Sequence, residues 1–228
     1  HVETAAPLDP FALPAVSMAD LNKYRPSAAP SRRVRVQGVV VAVRRGRGIY
    51  VQDGELGLWV ERSGPVTAKV GDRVSAVAFP GLGPVNPRLE DAELRVEGQA
   101  PLPAPLVLSG TNWINGNLEG RRVAVEGEVM AQGVHAEGRI LTLRTDGHVV
   151  DVVVGGGANG MARELDGLPA WTRVEVSGVY EPITGDAGEV RSFLLRVSDP
   201  TDVVVTQTPS FWTTGRLVAL SSGLVGLL

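Results

Sequence analysis

The chain of 228 residues is long enough for one large domain or two small domains, each with its own hydrophobic core. Its formal net charge of -3 gives no basic field of the kind that draws proteins onto nucleic acid, so a nucleic-acid partner is disfavoured. Cysteine is absent, which excludes disulfides, thiolate zinc sites and cysteine nucleophiles, while 28 glycines, 16 prolines and recurrent β-branched residues favour an all-β fold with many turns.

The chain opens with an apolar, proline-broken lead-in. Its second part, VSMADLNKYRPSAAPS, predicts a short helix or turn that packs across the entrance of a barrel. A similar segment, SGTNWINGNLEG, follows the proline-rich stretch GQAPLPAPLVL in the middle of the chain. Because proline-rich segments are extended and stiff, this stretch is interpreted as the seam between two units.

An internal repeat organises the rest of the chain. RRVRVQGVVVAV begins at Arg32 and returns as RRVAVEGEVMAQ from Arg121, and both runs alternate apolar and polar residues as a strand does. Gly38 and Gly127 occupy the same place in the two copies. A glycine in mid-strand fits the sharp bend at which the first strand of a small barrel turns its corner.

Each copy continues with a hairpin and two further strands. The hairpins centre on Asp53-Gly54 and Asp146-Gly147, a strong short-range hairpin signal. GDRVSAVAFPG and AELRVEG complete the first copy, and WTRVEVSGVYEP and SFLLRVS complete the second. Five strands with a variable connector between the third and fourth are typical of an OB-fold. In the second copy this connector is longer, and a brief helix is predicted over 161–165.

The predicted fold is therefore all-β: two tandem OB-fold-like five-stranded barrels with short helical lead-ins and the start of a C-terminal transmembrane helix. The predicted boundaries are a lead-in over 1–31, a first barrel over 32–100, a seam over 101–120, a second barrel over 121–208 and the membrane segment over 209–228.

The C-terminal run LVALSSGLVGLL carries no charge after Arg216. A spanning helix needs about 20 predominantly apolar residues, and this run supplies roughly the first half. Phe211, Trp212 and Arg216 are predicted to lie at the membrane interface, where aromatic residues meet the headgroups. The alternative is an amphipathic or buried C-terminal helix of a soluble protein.

The order of these segments resembles the N-terminal extracytoplasmic region of membrane-bound bacterial sensor histidine kinases of the acidobacterial type. The shared order is an apolar-proline lead, VRVQGVVVAV, GIYVQDGELGLWVE, GDRVSAVAFPG, a proline-rich seam, RRVAVEGEVMA and VVVTQTPSFWTTGRL. The resemblance covers nearly the whole chain, and its specific element is the tandem order that ends in Trp-Thr-x-x-Arg and a membrane span. It implies a sensing region whose catalytic part lies beyond residue 228.

The second and third strands of an OB barrel, with their flanking loops, form its usual binding surface. Alternation places Tyr50 and Gln52 on this exposed face and Ile49 and Val51 on the opposite one. An arginine loop beside aromatic rings could hold an anionic or aromatic ligand, or stack single-stranded bases. Alternatively, RRGRG is a solvated turn and the aromatic rings cover a barrel end. The candidate ligand-binding residues are Arg44, Arg45, Arg47, Tyr50, Gln52, Trp59 and Glu61.

No catalytic or metal site is predicted. Asp53 and Asp146 are explained by their hairpin turns, and His135 and His148 lack the spacing of metal ligands. GGGANG lacks the Gly-Lys-Ser/Thr ending of a phosphate-binding loop, and no Gly-x-Ser-x-Gly motif occurs. We therefore expect a chain that is not an enzyme in itself and that needs no cofactor.

The sequence thus predicts a sensing module that binds a small ligand or an envelope protein. It is expected on the periplasmic or extracytoplasmic face, anchored to the inner membrane by its C-terminal segment. Two alternatives stay open. One is a structural or assembly subunit, in which copies associate as dimers or polymers, and the other is a single-stranded nucleic-acid-binding OB protein.

Overall fold

The computed structural model describes residues 9–23, 32–62, 64–109, 113–155, 165 and 167–209. Within these ranges the protein is all-β, as predicted, and consists of a closed barrel and a second sheet. The predicted helix over 161–165 lies outside the described residues except for Leu165, and so does the predicted membrane segment from residue 210 onward, with Phe211, Trp212 and Arg216. In the part of the chain that is described, no helix is long and apolar enough to cross a membrane.

The first sheet is a closed five-stranded barrel in the order β1-β2-β3-β5-β4. All neighbouring strands are antiparallel except β3 and β5, which are parallel. This is the order of an OB-like barrel, so the predicted succession of strands is confirmed. The strands are β1 (Val34–Arg44), β2 (Gly48–Asp53), β3 (Leu56–Glu61), β4 (Asp72–Leu82) and β5 (Pro87–Gln99).

The second sheet has the order β12-β10-β11-β9-β8-β7-β6, and β10 pairs in addition with β7. The five predicted strands of the second copy are present as β7 to β11, and β6 and β12 extend the sheet beyond them. The strands are β6 (Leu106–Val107), β7 (Arg122–His135), β8 (Gly138–Thr145), β9 (His148–Gly155), β10 (Arg173–Thr184), β11 (Val190–Val197) and β12 (Val203–Gln207).

The long first strand of each copy changes partner just after a glycine. β1 pairs with β4 up to Val39 and with β2 from Val39 onward. A Cβ on Gly38 would lie 2.8 Å from the carbonyl oxygen of Gln52, and one on Gly127 would lie 2.9 Å from that of Arg144. A side chain would collide with the neighbouring strand at either bend, so the predicted role of these glycines is confirmed.

The pairings of the first barrel recur in the second sheet. β7 pairs with β8 and β10 as β1 pairs with β2 and β4, and the parallel pair β9–β11 matches β3–β5. The register shifts after Val40 in β1 and after Val129 in β7. The amide of Gly71 donates to the Val40 carbonyl at 2.9 Å, and that of Trp171 donates to the Val129 carbonyl at 2.7 Å. Gly71 and Trp171 therefore occupy equivalent positions.

Each sheet encloses a hydrophobic core that its lead-in segment closes. The helix α1 (Met18–Lys23) places Met18 and Leu21 in the core of the first barrel. Trp113 and Leu118, the last residue of a short 3-10 turn (Gly116–Leu118), belong to the core of the second sheet. Both lead-ins thus bury apolar side chains against a core, which removes apolar surface from water. Their predicted position across the entrance of a barrel stays a prediction.

Candidate functional site between the two sheets

The outer face of β2 and β3 lies against the second sheet. Tyr50 packs with Val179 of β10, and its ring centroid lies 4.8 Å from that of Trp59. The Oε1 atom of Gln52 accepts a hydrogen bond of 2.9 Å from the backbone amide of Arg122. Tyr50 is 3% exposed and Gln52 is 2% exposed, so both side chains serve the contact between the sheets.

Part of the prediction for this face is confirmed and part is wrong. Ile49 and Val51 point into the barrel core, opposite Tyr50 and Gln52, as the alternation predicted. The expectation that the face itself is exposed is wrong, because the second sheet covers it. A sequence pattern shows which side chains share a face of a strand, but it does not show what packs on that face.

The two sheets approach most closely at a pair of glycines. A Cβ on Gly57 would lie 2.1 Å from the carbonyl carbon of Gly120, which no side chain can occupy. Beside them, Nη2 of Arg121 lies 3.2 Å from Oε1 of Glu55. The contact between the sheets therefore includes direct backbone packing, which only glycine at position 57 permits.

Four charged side chains form a closed ring at the edge of this contact. Arg44 of the first barrel bonds Glu137 at 2.7 Å and Glu181 at 3.0 Å. Arg196 bonds the same two carboxylates from the other side, Glu181 at 2.8 Å. The Arg196 side chain is 6% exposed and the Arg44 side chain 16%. Two positive and two negative charges are thus paired with one another and largely withdrawn from water, and they join the two sheets.

The ring favours the charged forms of Arg44 and Glu137. Burial opposes the charge on Arg44, but the hydrogen bond to Glu137 and the attraction of Glu181 outweigh it and raise the pKa of Arg44 above its usual value. Burial also opposes the charge on Glu137. The hydrogen bond to Arg44 and the charge of Arg196 outweigh that effect and lower the pKa of Glu137 below its usual range.

A cleft of about 410 Å³ opens beside the ring, between the two sheets. Five of the seven predicted site residues line it: Arg44, Arg47, Tyr50, Trp59 and Glu61. Gln52 is buried in the contact between the sheets, and Arg45 lines a separate cleft of about 780 Å³ that also includes Glu137 and Arg196. The structure therefore brings most of the predicted residues together, at a junction rather than on an open face.

The cleft contains arginines that differ in how firmly they are paired. Arg88 bonds Glu90 at 2.8 Å and approaches Glu61 at 3.9 Å. The side chain of Arg47 is 65% exposed, and its one ion pair with a described residue is a distant contact of 3.9 Å with Glu137. Arg62 makes no ion pair among the described residues. Two guanidinium groups are thus available at the mouth of the cleft.

Glu119 brings an unusual carboxyl group to the same cleft. Burial raises its pKa to about 7, the hydrogen bonds from Asn86 oppose the rise, and the negative charge of Glu181 adds to it. The backbone amide of Asn86 donates to Oε2 of Glu119 at 3.3 Å. Unlike Glu137, Glu119 has no arginine partner among the described residues, so the carboxyl group changes charge near neutral pH.

Sequence reasoning missed four charged residues of this cleft for two different reasons. Arg62 directly follows β3, so the rule that selected Glu61 could have included it. Arg88, Glu119 and Glu181 come from other segments of the chain and reach the cleft only through the tertiary contact. Nothing in their local sequence marks them.

No group of three or more His, Asp or Glu side chains in the described residues is arranged to hold a metal ion. The cleft offers guanidinium, carboxyl, phenol and indole groups. This set suits the binding of an anion or a planar group.

Neither a described protein family nor a curated protein matches this chain. An OBody bound to hen egg-white lysozyme is 20% identical over 46% of this chain and all of its own, with a TM-score of 0.37. Entamoeba histolytica asparaginyl-tRNA synthetase in complex with asparaginyl-adenylate is 14% identical over 48% of this chain and 25% of its own, also with a TM-score of 0.37. Fission yeast Pot1 with single-stranded DNA is 9% identical over 91% of this chain, with a TM-score of 0.33. Likeness at this level carries no inference about function.

Proposed function

We propose that this chain is a non-catalytic binding module whose ligand site is the cleft between its two sheets. The observation that carries the proposal is the pair of available guanidinium groups, Arg47 and Arg62, beside the rings of Tyr50 and Trp59 in a cleft of about 410 Å³. Clefts where two units meet are common ligand sites, because groups from both sides converge on them.

The chemistry of the cleft favours a small anionic ligand. Guanidinium groups bind carboxylate and phosphate in a planar, bidentate fashion. The ring of Trp59 already lies under the guanidinium of Arg44, 5.7 Å from its centroid, which fixes its orientation. Glu61 and Glu181 at the edges of the cleft disfavour ligands of high negative charge, so a compact ligand with one or two acidic groups fits best.

We also infer that β7 to β11 form a second OB-like barrel. The additional pairing of β10 with β7, from Arg173↔Glu128 to Val179↔Arg122, joins the two ends of the series β7-β8-β9-β11-β10. The tandem fold supports the reading of the cleft as an inter-barrel site.

The setting that we propose is the extracytoplasmic sensing region of a membrane-bound histidine kinase, held at the inner membrane through residues 209–228. The support for this setting is the order of segments in the sequence. A ligand that bridges the two sheets would change how the sheets are placed relative to each other only if it binds one placement more tightly than another.

Ligand binding is tested by thermal unfolding of the protein with a panel of small carboxylates and phosphates, followed by calorimetric titration of those that stabilise it. We expect Arg47→Ala and Arg62→Ala each to weaken binding about tenfold or more, because each removes a charge-assisted hydrogen bond. Arg33→Ala, which changes an arginine outside the cleft, is the matched control. Equal affinity in all three variants would contradict the proposed site.

Location is tested separately by fractionation of cells that express the native gene. Membrane-held protein whose barrels are cleaved by externally added protease supports the sensor setting. Protein in the cytoplasmic fraction contradicts that setting and leaves the ligand site to be judged by the titrations.

The nucleic-acid alternative has lost Tyr50 from the surface that it needs. Stacking of bases requires exposed rings, and Tyr50 is covered by the second sheet. Fluorescence polarisation with single-stranded oligonucleotides at low salt tests this alternative, since such binding weakens steeply as salt is added.

A further inference from the structure

A second and larger cleft shares the ring of four charges with the cleft described above. Its volume is about 780 Å³, within the usual range of ligand pockets, and we call it the wide cleft. Arg44 lines both clefts. Glu137 and Arg196 line the wide cleft, whereas Glu181 lines the smaller one. The ring therefore contributes to the walls of both clefts, and each cleft has further residues of its own.

Both units of the fold contribute to the wide cleft. The first barrel supplies the end of β1 with the turn after it (43–45) and the connector between β3 and β4 (66–70). The second sheet supplies the β7–β8 turn (136–138), the last residue of β9 (Gly155) and the end of β11 with the residue after it (196–198). A ligand in this cleft would therefore contact both units.

Arg45 and Lys69 give the wide cleft two positive charges that no described carboxylate neutralises. Both residues are exposed, and neither makes an ion pair within the part of the chain that the structure describes. The other charged residues of the lining, Arg44, Glu137 and Arg196, belong to the ring, where two carboxylates already neutralise two guanidinium groups. The cleft thus has an excess of positive charge in a chain whose net charge is -3. Such a cleft attracts anions.

Most of the remaining lining is aliphatic. Val43 and Val66 pack against the core of the first barrel, and Val197 belongs to the core of the second sheet, so packing fixes the position of these walls. The smaller cleft has the rings of Tyr50 and Trp59, but the described residues that line the wide cleft include no aromatic ring. Its apolar residues are Val43, Val66, Ala68, Val70, Ala136 and Val197.

We propose that the wide cleft is a second ligand site, which binds a carboxylate with an aliphatic body, such as a medium-chain fatty acid. The carboxylate lies at Arg45 and Lys69, whose guanidinium and ammonium groups form charge-assisted hydrogen bonds to it. The alkyl chain lies against the valines, where its burial removes apolar surface from water. Phosphate would satisfy the two cations but would leave the aliphatic wall uncovered, so it binds less tightly here.

Calorimetric titration of the full 228-residue chain with straight-chain carboxylates from butanoate to octanoate is the first test. We expect one octanoate per chain at this site and a gain in affinity of about three- to fourfold for each added CH₂ group, because each buries more apolar surface. Octylammonium, which carries the opposite charge on a similar alkyl chain, should bind at least about tenfold more weakly. Affinity that does not depend on chain length, or equal binding of octylammonium, overturns the proposal.

Two variants test the position of the carboxylate. Arg45→Ala and Lys69→Ala each remove one cation and should weaken octanoate binding about tenfold. Both residues are exposed, so the variants should fold, which circular dichroism checks. Arg33→Ala is the control, because Arg33 directly precedes β1 and thus lies at the end of that strand opposite to Arg45. If all three variants bind octanoate equally well, the proposed site is wrong.

Arg47→Ala separates this site from the smaller cleft. Arg47 belongs to the same turn as Arg45 but lines the smaller cleft. Loss of octanoate binding in Arg47→Ala, with retention in Arg45→Ala, would assign octanoate to the smaller cleft and overturn the proposal. Loss of octanoate binding in Arg45→Ala, while phosphate binding is lost in Arg47→Ala, supports two separate sites. Octanoate thus tests the wide cleft and phosphate the smaller one, so either site can fail without the other.

Discussion

Two buried carboxyl groups at the junction show how the neighbours of a residue set its charge. Glu137 lies between Arg44 and Arg196, and its pKa is lowered because the two guanidinium groups outweigh the effect of burial. Glu119 lies nearby without such a partner, and burial raises its pKa to about 7. The same side chain is therefore a fixed charge in one place and a titrating group in the other.

We expect Glu119→Gln to stabilise the protein above pH 7 and to have little effect near pH 4. The folded protein holds the Glu119 proton more tightly than the unfolded chain does, so the free energy of unfolding falls as the pH rises from 4.5 to about 7. Complete ionisation costs about 3 kcal/mol, which a neutral glutamine avoids. Urea unfolding at a series of pH values measures the difference between the two proteins.

The matched control for this prediction is Glu61→Gln, which changes a carboxylate of the same cleft whose side chain is 44% exposed. A gain of the same size and pH dependence in the control would show that the general charge of the cleft, and not the burial of Glu119, is responsible. A constant difference across all pH values would also contradict the prediction.

At the scale of strands, the glycines divide into those that bend a strand and those that allow a contact. Gly38 and Gly127 stand at bends within one sheet, where the sequence pattern predicted them. Gly57 lies in β3 and Gly120 in the turn before β7, and they touch only because the two sheets pack together. The pattern of a single strand predicts where that strand bends, but it does not predict which residues touch when two sheets pack together.

Substitution of Gly57 by alanine is expected to loosen the contact between the sheets. The new Cβ would lie 2.1 Å from the carbonyl carbon of Gly120, so the sheets must separate locally and Gln52 loses its bond to the Arg122 amide. We expect a loss of about 2 to 4 kcal/mol, the range seen when a packed contact is forced apart. Chemical denaturation measures this loss.

Gly54→Asn is the control for the alanine variant. Gly54 has φ 58° in the hairpin turn and no atom within 4 Å of its missing Cβ, and asparagine tolerates this conformation. Its effect should be a few tenths of a kcal/mol. If both variants lose the same stability, the close approach of the two sheets is not what Gly57 provides.

The strands were predictable because their signals are local. Alternation, the Asp-Gly turns and the repeated Arg-Arg-Val start gave the five strands of each copy, and the structure has them. β6 and β12 were not predicted, since two to five residues at the edge of a sheet become strands only when a neighbour is present to pair with them. The covering of Tyr50 and Gln52 escaped prediction for the same reason: it depends on how one unit lies on the other.

At the scale of the whole molecule, the two sheets are in contact at several points. Backbone packing, the ring of four charges and the shared contacts of Tyr50 and Val179 join them at several points. Because the ring is largely withdrawn from water, the loss of one member leaves a buried charge without its partner. The stability of either sheet should therefore depend on the other.

We expect Arg44→Met to cost about 2 kcal/mol and to leave the loss largely unchanged in high salt. Glu137 and Glu181 would keep only Arg196, and salt screens such partly buried charges much less than exposed ones. Arg33→Met is the control, since its partners Asp91 and Glu93 are 74% and 49% exposed and such pairs contribute about 0 to 1 kcal/mol. Equal losses, or a loss in Arg44→Met that salt removes, would contradict this account.

Calorimetry of the same variants tests whether the sheets unfold together. The unchanged protein should show a single cooperative transition, and Gly57→Ala combined with Arg44→Met should split it into two. A split transition in the unchanged protein would show that the junction contributes little to cohesion.

β10 is a single strand that extends from its pairing with β12 to the cleft between the sheets. Near Arg173 it is the hydrogen-bonded neighbour of β12, the last described strand, and about 8 residues later it carries Glu181 and Pro182 into the cleft. β10 pairs with β7 and β12 near Arg173 and with β11 near Glu181. One continuous strand therefore connects the cleft to the pairing with β12, about 25 Å away at the usual rise of a strand.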